Sequence, residues 1–315
     1  MSGPQPVLAI VGPTAVGKSG FALTVAQSLP GEIVSCDSMA VFRGLDIGTD
    51  KPSRADRKRV PHHLLDVAEP GSFYSAGAFR RAALAAIAQI QGRGSLCVVT
   101  GGTGLYYLAL TRGLVQVPGR QEGLRERLRR TASRSGPERL HRMLRRLDPG
   151  SASHIMPRDT LRLVRALEVY FATGRPLSAW IAAPGPEADP ALRWVRVGLT
   201  ASRGWLYTRI EARVDQMMDA GLLEEVRGLL DRGCLAGPVA KAIGYGELAD
   251  YLQGLTSLDD AVERIKLRSR HLAKRQLAWF KREEGIHWYS VDKEAWQNDA
   301  MEFIQRQLQK APGGA

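Results

Sequence analysis

The sequence predicts an α/β fold, a parallel sheet flanked by helices, with an inserted all-helical domain. Three observations predict it. Short β-branched apolar runs alternate with stretches of helical spacing over the first 117 residues. The first and the most apolar of these runs end at glycines, as buried parallel strands do. A strandless, arginine-rich stretch then separates them from a later alternating run at 194–199.

Residues 7–11 (VLAIV) read as a buried strand that stops at a glycine turn. Residues 21–29 have helical spacing and end at Pro30 and Gly31, and 32–36 form the next strand. A further strand is expected at 64–67. Residues 75–91 form an alanine-rich helix closed by Gly92, and 96–100 (LCVVT) a buried strand followed by Gly101 and Gly102.

Pro118 and Gly119 open the insert and Pro184, Gly185 and Pro186 close it. Between them lie charged helical segments at 124–135, 137–147 and 159–173, with ten arginines between 120 and 146. Residues 194–199 (WVRVGL) return the chain to the sheet. The expected core is therefore 1–117 with 194–315, and the expected insert is 118–193. Long helices follow at 202–220, 222–232 and 258–282. In the last, Val262, Ile265, Leu272, Ala273, Trp279 and Phe280 share one face, and Arg264, Arg268, His271, Arg275 and Arg282 share another. That basic face reads equally as a solvated surface or an RNA contact.

Composition narrows the function classes. The 315 residues are 44% hydrophobic, enough for one large core or a core with a smaller domain. No apolar run approaches the roughly 20 residues that cross a membrane, and the N-terminus lacks a signal-peptide pattern. Cys36, Cys97 and Cys234 show neither disulfide nor zinc spacing. A cytoplasmic protein without a membrane association is the expectation. The net charge of +12, from 44 basic and 32 acidic residues, favours a polyanionic partner.

Gly12, Pro13, Thr14, Ala15, Val16, Gly17, Lys18 and Ser19 fit G-x-x-x-x-G-K-[ST] between a strand and a helix. The glycines let backbone N–H groups converge on an anion at a helix N-terminus. Lys18 adds a mobile charge, and the Ser19 hydroxyl can reach a magnesium ion. The sheet is thus P-loop NTPase-like. The loop recognises a diphosphate-like anion and does not specify a nucleoside, so these residues alone also suit a kinase.

Asp37 and Ser38 follow the second strand, at the same sheet edge as the phosphate loop. Asp37 can serve there as metal ligand, general base or cap. Residues 100–106 (TGGTGLY) bring Thr103 to that edge, and no apolar strand ending in Asp suggests an NTPase. His62 and His63 should face opposite sides of a strand in structural roles. Cys36 has no evident base, and Trp279 with Phe280 suits core packing better than base stacking.

In combination these stretches resemble the tRNA dimethylallyltransferases, also called tRNA isopentenyltransferases, of bacterial type. The resemblance rests on GPTAVGKS at 12–19, SCDSMAVFRGLDIGTDKPS at 35–53, PHHLLD at 61–66 and YSAGAFRR at 74–81. It continues through GGTGLYY at 101–107, RIEARVDQMMDAGLLEEV at 209–226, KAIGYGEL at 241–248 and HLAKRQLAWF at 271–280. The three cysteines and six histidines cannot build the zinc-finger extension of eukaryotic cytosolic relatives.

The resemblance implies that residues 12–19 hold the diphosphate of dimethylallyl diphosphate, with Mg2+ bound through Ser19. It implies that Asp37 is the general base for the adenine N6 amine, that Thr103 contacts acceptor and diphosphate, and that Arg213 neutralises the leaving group. The tRNA contacts it implies fall on Asp37, Ser38, Met39, Ala40, Thr103, Arg125, Leu161, Arg162, Leu163, Val164 and Arg165. The inserted domain is expected to grip the anticodon stem-loop, and the protein to act as a monomer. Ala40 and Phe42 stand where many relatives have Gln and Tyr. Three other readings use the same loop: a small-molecule or nucleoside kinase, an adenylate isopentenyltransferase, and a non-catalytic RNA-binding module. None of the three needs both the loop's transfer chemistry and an arginine-rich insert.

Overall fold

A computed structural model describes residues 5–115, 117–183, 189 and 191–310. The expected closing turn at Pro184, Gly185 and Pro186 lies outside the described residues. Two compact units are present, one of 1–111 with 189–315 and the other of 112–188.

The larger unit is built on six strands, β1 (Gln5–Val11), β2 (Gly31–Ser35), β3 (His62–His63), β4 (Leu96–Gly101), β5 (Leu192–Thr200) and β6 (His287–Ser290). They form one parallel sheet in the order β3-β2-β4-β1-β5-β6. Its helices are α1 (Lys18–Ser28), α2 (Arg54–Arg59), α3 (Ala76–Gly92) and α4 (Gly104–Thr111). The smaller unit holds α5 (Glu122–Ser135), α6 (Pro137–Leu147), α7 (Pro149–Ala152), α8 (Thr160–Thr173) and α9 (Leu177–Ala182). The chain then adds α10 (Arg203–Asp219), α11 (Leu222–Asp231), α12 (Tyr245–Leu252), α13 (Leu258–Phe280) and α14 (Trp296–Gln309) to the sheet unit.

Strand alternation decides what covers each face. Val7, Ala9 and Val11 point into a core closed by α3, α4, α11 and α12. Leu8 and Ile10 point into a second core closed by α1 and α14. Both faces are buried, which is why β1 is apolar at every position from Val7 to Val11. The insert closes its own core around Leu128, Leu140, Leu144, Leu163 and Leu167. Among the described residues, no helix is long and apolar enough to cross a membrane.

Three expectations need correction. The strand expected at 64–67 is not formed. Leu64 and Asp66 have φ of 61° and 57°, left-handed values that a strand cannot contain, and the pairing stops at His63. The insert does not begin at 118 or end at 193. Helix α4 ends at Thr111, and Leu192 and Arg193 already pair with Gln5 and Pro6 in the sheet. Helix α1 starts at Lys18 rather than at 21, because Gly17, at φ 96°, supplies the turn into it. Strand β6 and helix α14 had no counterpart in the sequence reading, since HWYS is short and half exposed.

Candidate active site

The phosphate loop leaves β1 at Val11 and enters α1 at Lys18. Gly12 passes so close to the Leu199 carbonyl of β5 that a Cβ there would collide with it. Ala15 and Gly17 are left-handed, at φ 63° and 96°. Such residues set among right-handed ones turn successive N–H groups into a concave anion cradle. The positive end of the α1 dipole adds to it. The Lys18 ammonium lies back over this loop, donating to the Pro13 carbonyl at 2.6 Å, and Ser19 is exposed in the first turn of α1.

Two helices late in the chain reach this loop. From α10, Arg213 Nη1 donates to Thr14 Oγ1 at 2.8 Å, and its Nε lies 3.5 Å from Asp50. From α13, the Gln276 carboxamide accepts from the Thr14 N–H at 2.7 Å and donates to the Gly102 carbonyl at 3.0 Å. Gln276 thus joins the loop after β1 to the turn after β4. Sequence reasoning passed over it. The available signal was a polar side chain four residues after Leu272 and three after Ala273, on the apolar face of the helix.

Across β4 stands the acidic side of the site. The Cys36 N–H donates to the Thr100 carbonyl at 2.7 Å, and the Thr103 N–H to the Cys36 carbonyl at 3.2 Å. Gly101 permits this approach, because a Cβ on it would run into Cys36. The Thr103 hydroxyl accepts from the Ser38 N–H at 3.0 Å and so holds the segment after β2. Asp37 Oδ1 accepts from the Met39 and Ala40 N–H groups at 2.7 and 3.2 Å. The carboxylate therefore caps the turn that follows it. Both bonds use one oxygen. Cap and base, two of the roles open for Asp37 in the sequence, are chemically compatible.

The polar loop between them is pinned from beneath. Glu225 of α11 accepts from the N–H groups of Asp46, Ile47 and Gly48 at 2.9, 2.8 and 3.2 Å, and from the Tyr245 hydroxyl at 2.6 Å. The Lys51 side chain, 1% exposed, donates to the Phe42 carbonyl, Asp46 and Asp66 at 2.7, 2.8 and 2.6 Å. Three acceptors satisfy all three ammonium protons, which is what makes a buried lysine tolerable. Neither anchor was legible in the sequence.

The electrostatics favour an anion. Burial, and then the positive charge of Arg213, depress the Lys18 ammonium to about 8, while Asp37 and Asp50 pull the other way. Two cations held together in a desolvated loop form an incomplete charge arrangement that a polyphosphate would complete. Burial, reinforced by Asp37, pushes the Cys36 thiol well above its ordinary range, so it stays protonated and unreactive. His63 bonds to Glu32 at 2.7 Å and His62 to the Val60 carbonyl at 2.7 Å. Trp279 meets Tyr107 and Phe280 edge to face, and Phe280 is 1% exposed.

The residues expected to contact RNA divide sharply. Asp37, Ser38, Met39 and Thr103 are half-buried at the strand edge. Ala40 is buried, its N–H bonded to Asp37 and its carbonyl to the Asp66 N–H, so its methyl group is not available to a base. In the insert, Leu161 and Arg162 are exposed. Leu163 and Val164 are 0% and 1% exposed and close the insert's core.

Arg125 is held by an ion pair within the insert. Its guanidinium, 11% exposed, bonds at 2.9 Å to Glu168, itself 1% exposed. Glu168 further accepts from Arg165 at 2.7 Å and from the Gln121 N–H at 2.6 Å, and Arg165 reaches the Pro118 carbonyl at 2.9 Å. Arg125 is thus a structural partner of a buried carboxylate. Arg125→Ala is expected to destabilise the insert by about 3 kcal/mol through loss of that partner. Differential hydrogen exchange of α5 and α8 measures this. Unchanged protection there, with weaker RNA binding, would instead assign Arg125 a direct RNA contact.

The comparisons with known proteins agree with one another. The chain matches the IPP transferase family over residues 40–283. It is 49% identical over 280 residues to a tRNA dimethylallyltransferase of Geobacter metallireducens, covering 89% of this chain and 90% of that one. It is 44% identical over 290 residues to one of Pelotomaculum thermopropionicum, covering 91% of each. Among solved structures, it resembles a full-length tRNA isopentenylpyrophosphate transferase of Bacillus halodurans, with TM-score 0.72 and 37% identity over 97% of both chains. It also resembles a eukaryotic dimethylallyltransferase described as acting on tRNA, with TM-score 0.79 and 28% identity over 96% of this chain and 78% of that one.

Proposed function

Since the chain belongs to the tRNA dimethylallyltransferase family, we infer that it moves a dimethylallyl group from dimethylallyl diphosphate to tRNA. The acceptor is N6 of the adenine 3′-adjacent to the anticodon, and diphosphate is released. The observation that carries this reading is the pairing of a cationic anion cradle with a carboxylate at one sheet edge. The two follow β1 and β2, which flank β4. Two inter-strand spacings separate them by about 10 Å. That distance suits a diphosphate on one side and a purine edge on the other, with one allylic carbon between.

The exocyclic amine is a poor nucleophile because its lone pair is delocalised into the ring. Asp37 accepts a hydrogen bond from N6 and takes its proton as the N6–C1 bond forms and the C1–O bond to the diphosphate breaks. Lys18, Arg213 and the N–H groups of 12–19 meet the negative charge that grows on the leaving oxygens. Thr103 holds Ser38, and so the turn that carries Asp37.

The donor set fits a magnesium ion held largely by the diphosphate itself. It offers the exposed Ser19 hydroxyl at the helix start, and the described residues contain no cluster of three or more His, Cys, Asp and Glu side chains for a protein-only cage. When bound, Mg2+ would share in neutralising the leaving group. Among the insert residues assigned to the anticodon stem-loop, Leu161 and Arg162 are exposed. The protein acts as a monomer in the cytoplasm.

Purified protein, magnesium and labelled dimethylallyl diphosphate, offered unmodified tRNA, AMP or ATP, test the reading. Label is expected in tRNA alone. Label in AMP would indicate an adenylate isopentenyltransferase, and phosphate transfer from ATP a kinase.

A further inference from the structure

The ladder between β1 and β4 ends at the pair Val11 and Gly101. Beyond it the loop after β1 and the turn after β4 part, and Gln276 of α13 spans the gap. Its partners fix which way the carboxamide faces. The Thr14 N–H can only donate and the Gly102 carbonyl can only accept, so the oxygen meets the first and the nitrogen the second. The turn is shaped to receive this helix. A Cβ on Gly102 would strike the Gln276 carboxamide, and one on Gly104 would strike the Trp279 ring.

The hydrogen bonds here run head to tail. The Lys18 ammonium donates to the Pro13 carbonyl, and the N–H of that same peptide, on Thr14, donates to Gln276 Oε1. Gln276 Nε2 donates to the Gly102 carbonyl, and the N–H of that peptide, on Thr103, donates to the Cys36 carbonyl. The Cys36 carbonyl belongs to the peptide that leads into Asp37. Four amide groups thus connect the cation of the cradle with the backbone of the acid. Of the four, Gln276 alone is a side chain.

We propose that Gln276 is a positioning residue for the transfer, one that holds the phosphate loop and the Asp37 turn in register so that binding at one alters affinity at the other. The proposal rests on the reading of the protein as a dimethylallyl transferase. A half-buried glutamine that satisfies two backbone groups is ordinarily a packing detail. This one closes a chain of aligned amides, which polarise one another, so that removing one link weakens its neighbours. Its ends also lie on the two groups that the reaction must align. A misplacement of about 1 Å between reacting groups costs on the order of 10²-fold. A glutamine that served the cradle alone would affect donor binding. One that sets register affects turnover and the coupling between substrates.

The experiment uses wild type, Gln276→Met and Gln276→Glu. The first variant keeps the length and removes both bonds. The second keeps an acceptor for Thr14 and, while ionised, lacks a donor for Gly102. At saturating substrates both should lower kcat by about 10–100-fold. Calorimetric binding of inorganic pyrophosphate to Gln276→Met should stay within about threefold, which also reports that it is folded. In wild type, pyrophosphate should tighten tRNA binding by about fivefold or more. In Gln276→Met the two should bind independently. Lowering the pH should raise the kcat of Gln276→Glu relative to wild type, because the protonated carboxyl regains a donor, and should leave the Met ratio flat.

Retention of wild-type kcat and coupling in Gln276→Met would make the carboxamide a packing contact and leave the reaction standing. Absence of coupling in wild type would overturn the proposal equally. Loss of pyrophosphate binding in a Met variant that still melts cooperatively would make Gln276 part of the cradle rather than a link to the acid. Should Gln276→Met not fold, the pH profile of Gln276→Glu decides, and a flat one denies the Gly102 bond its role. Failure of wild type to transfer from dimethylallyl diphosphate at all would instead remove the functional reading, and this proposal with it.

Discussion

Asp37→Asn is expected to lower kcat for tRNA prenylation by about 10²–10⁴-fold, the range associated with a positioned general base. The substitution separates the two roles that one carboxylate combines. Asn keeps an acceptor oxygen where Oδ1 now receives the Met39 and Ala40 N–H groups, so the turn after β2 should persist. It cannot take a proton from N6. Binding of tRNA and of pyrophosphate should therefore stay within about threefold while turnover collapses. Asp37→Ala removes the cap as well and should additionally weaken tRNA binding. If the Asn variant kept near wild-type turnover, Asp37 would be a cap alone and the mechanism would need another base.

Lys18→Ala should produce the second large effect, about 10²–10³-fold in kcat/KM for the donor, as expected for removing one charged group from a developing oxyanion. Affinity for tRNA should be largely retained, because Lys18 points back over its own loop. A pH signature accompanies it. In the free protein the Lys18 ammonium is lowered to about 8, and a bound diphosphate would favour the protonated form. Below about pH 8 the ammonium is already charged and donor binding is at its best. Above that value binding requires proton uptake, so the donor KM should rise by roughly tenfold per pH unit until the higher pKa of the bound state is passed. Lys18→Ala should abolish that limb while lowering activity throughout. A limb that persists in the variant would belong to another group.

The local grammar of the fold was legible because it rests on nearest neighbours in the chain. The run VLAIV followed by GPTAVGKS can hardly form anything but a buried strand, an anion loop and a helix. Asp37 drew notice for a similar reason, as the first charged residue after the second strand. The errors arose where conformation contradicts composition. Residues 64–67 are apolar enough for a strand, yet Leu64 and Asp66 take left-handed backbone angles. The ion pairs Lys51–Asp66 and Arg57–Asp66 bracket that turn. Sequence spacing likewise did not reveal that Leu163 and Val164 pack inward with Leu144 and Leu167, or that Arg125 pairs with Glu168. A helix face is assigned correctly only when what it packs against is known.

By itself the sequence determined the chemistry of the pieces: a glycine-lined cradle with a lysine, an acid after the second strand, a threonine after a double glycine, and an arginine-rich insert. Tertiary structure decided how they meet. It placed β4 between β1 and β2, which sets the gap across which cradle and acid face each other. It carried Arg213 and Gln276, about 200 and 260 residues downstream, onto Thr14. Side-chain hydrogen bonds act only over some 3 Å, so which distant residues share one is fixed by packing of the sheet and its helices, and no spacing along the chain encodes it.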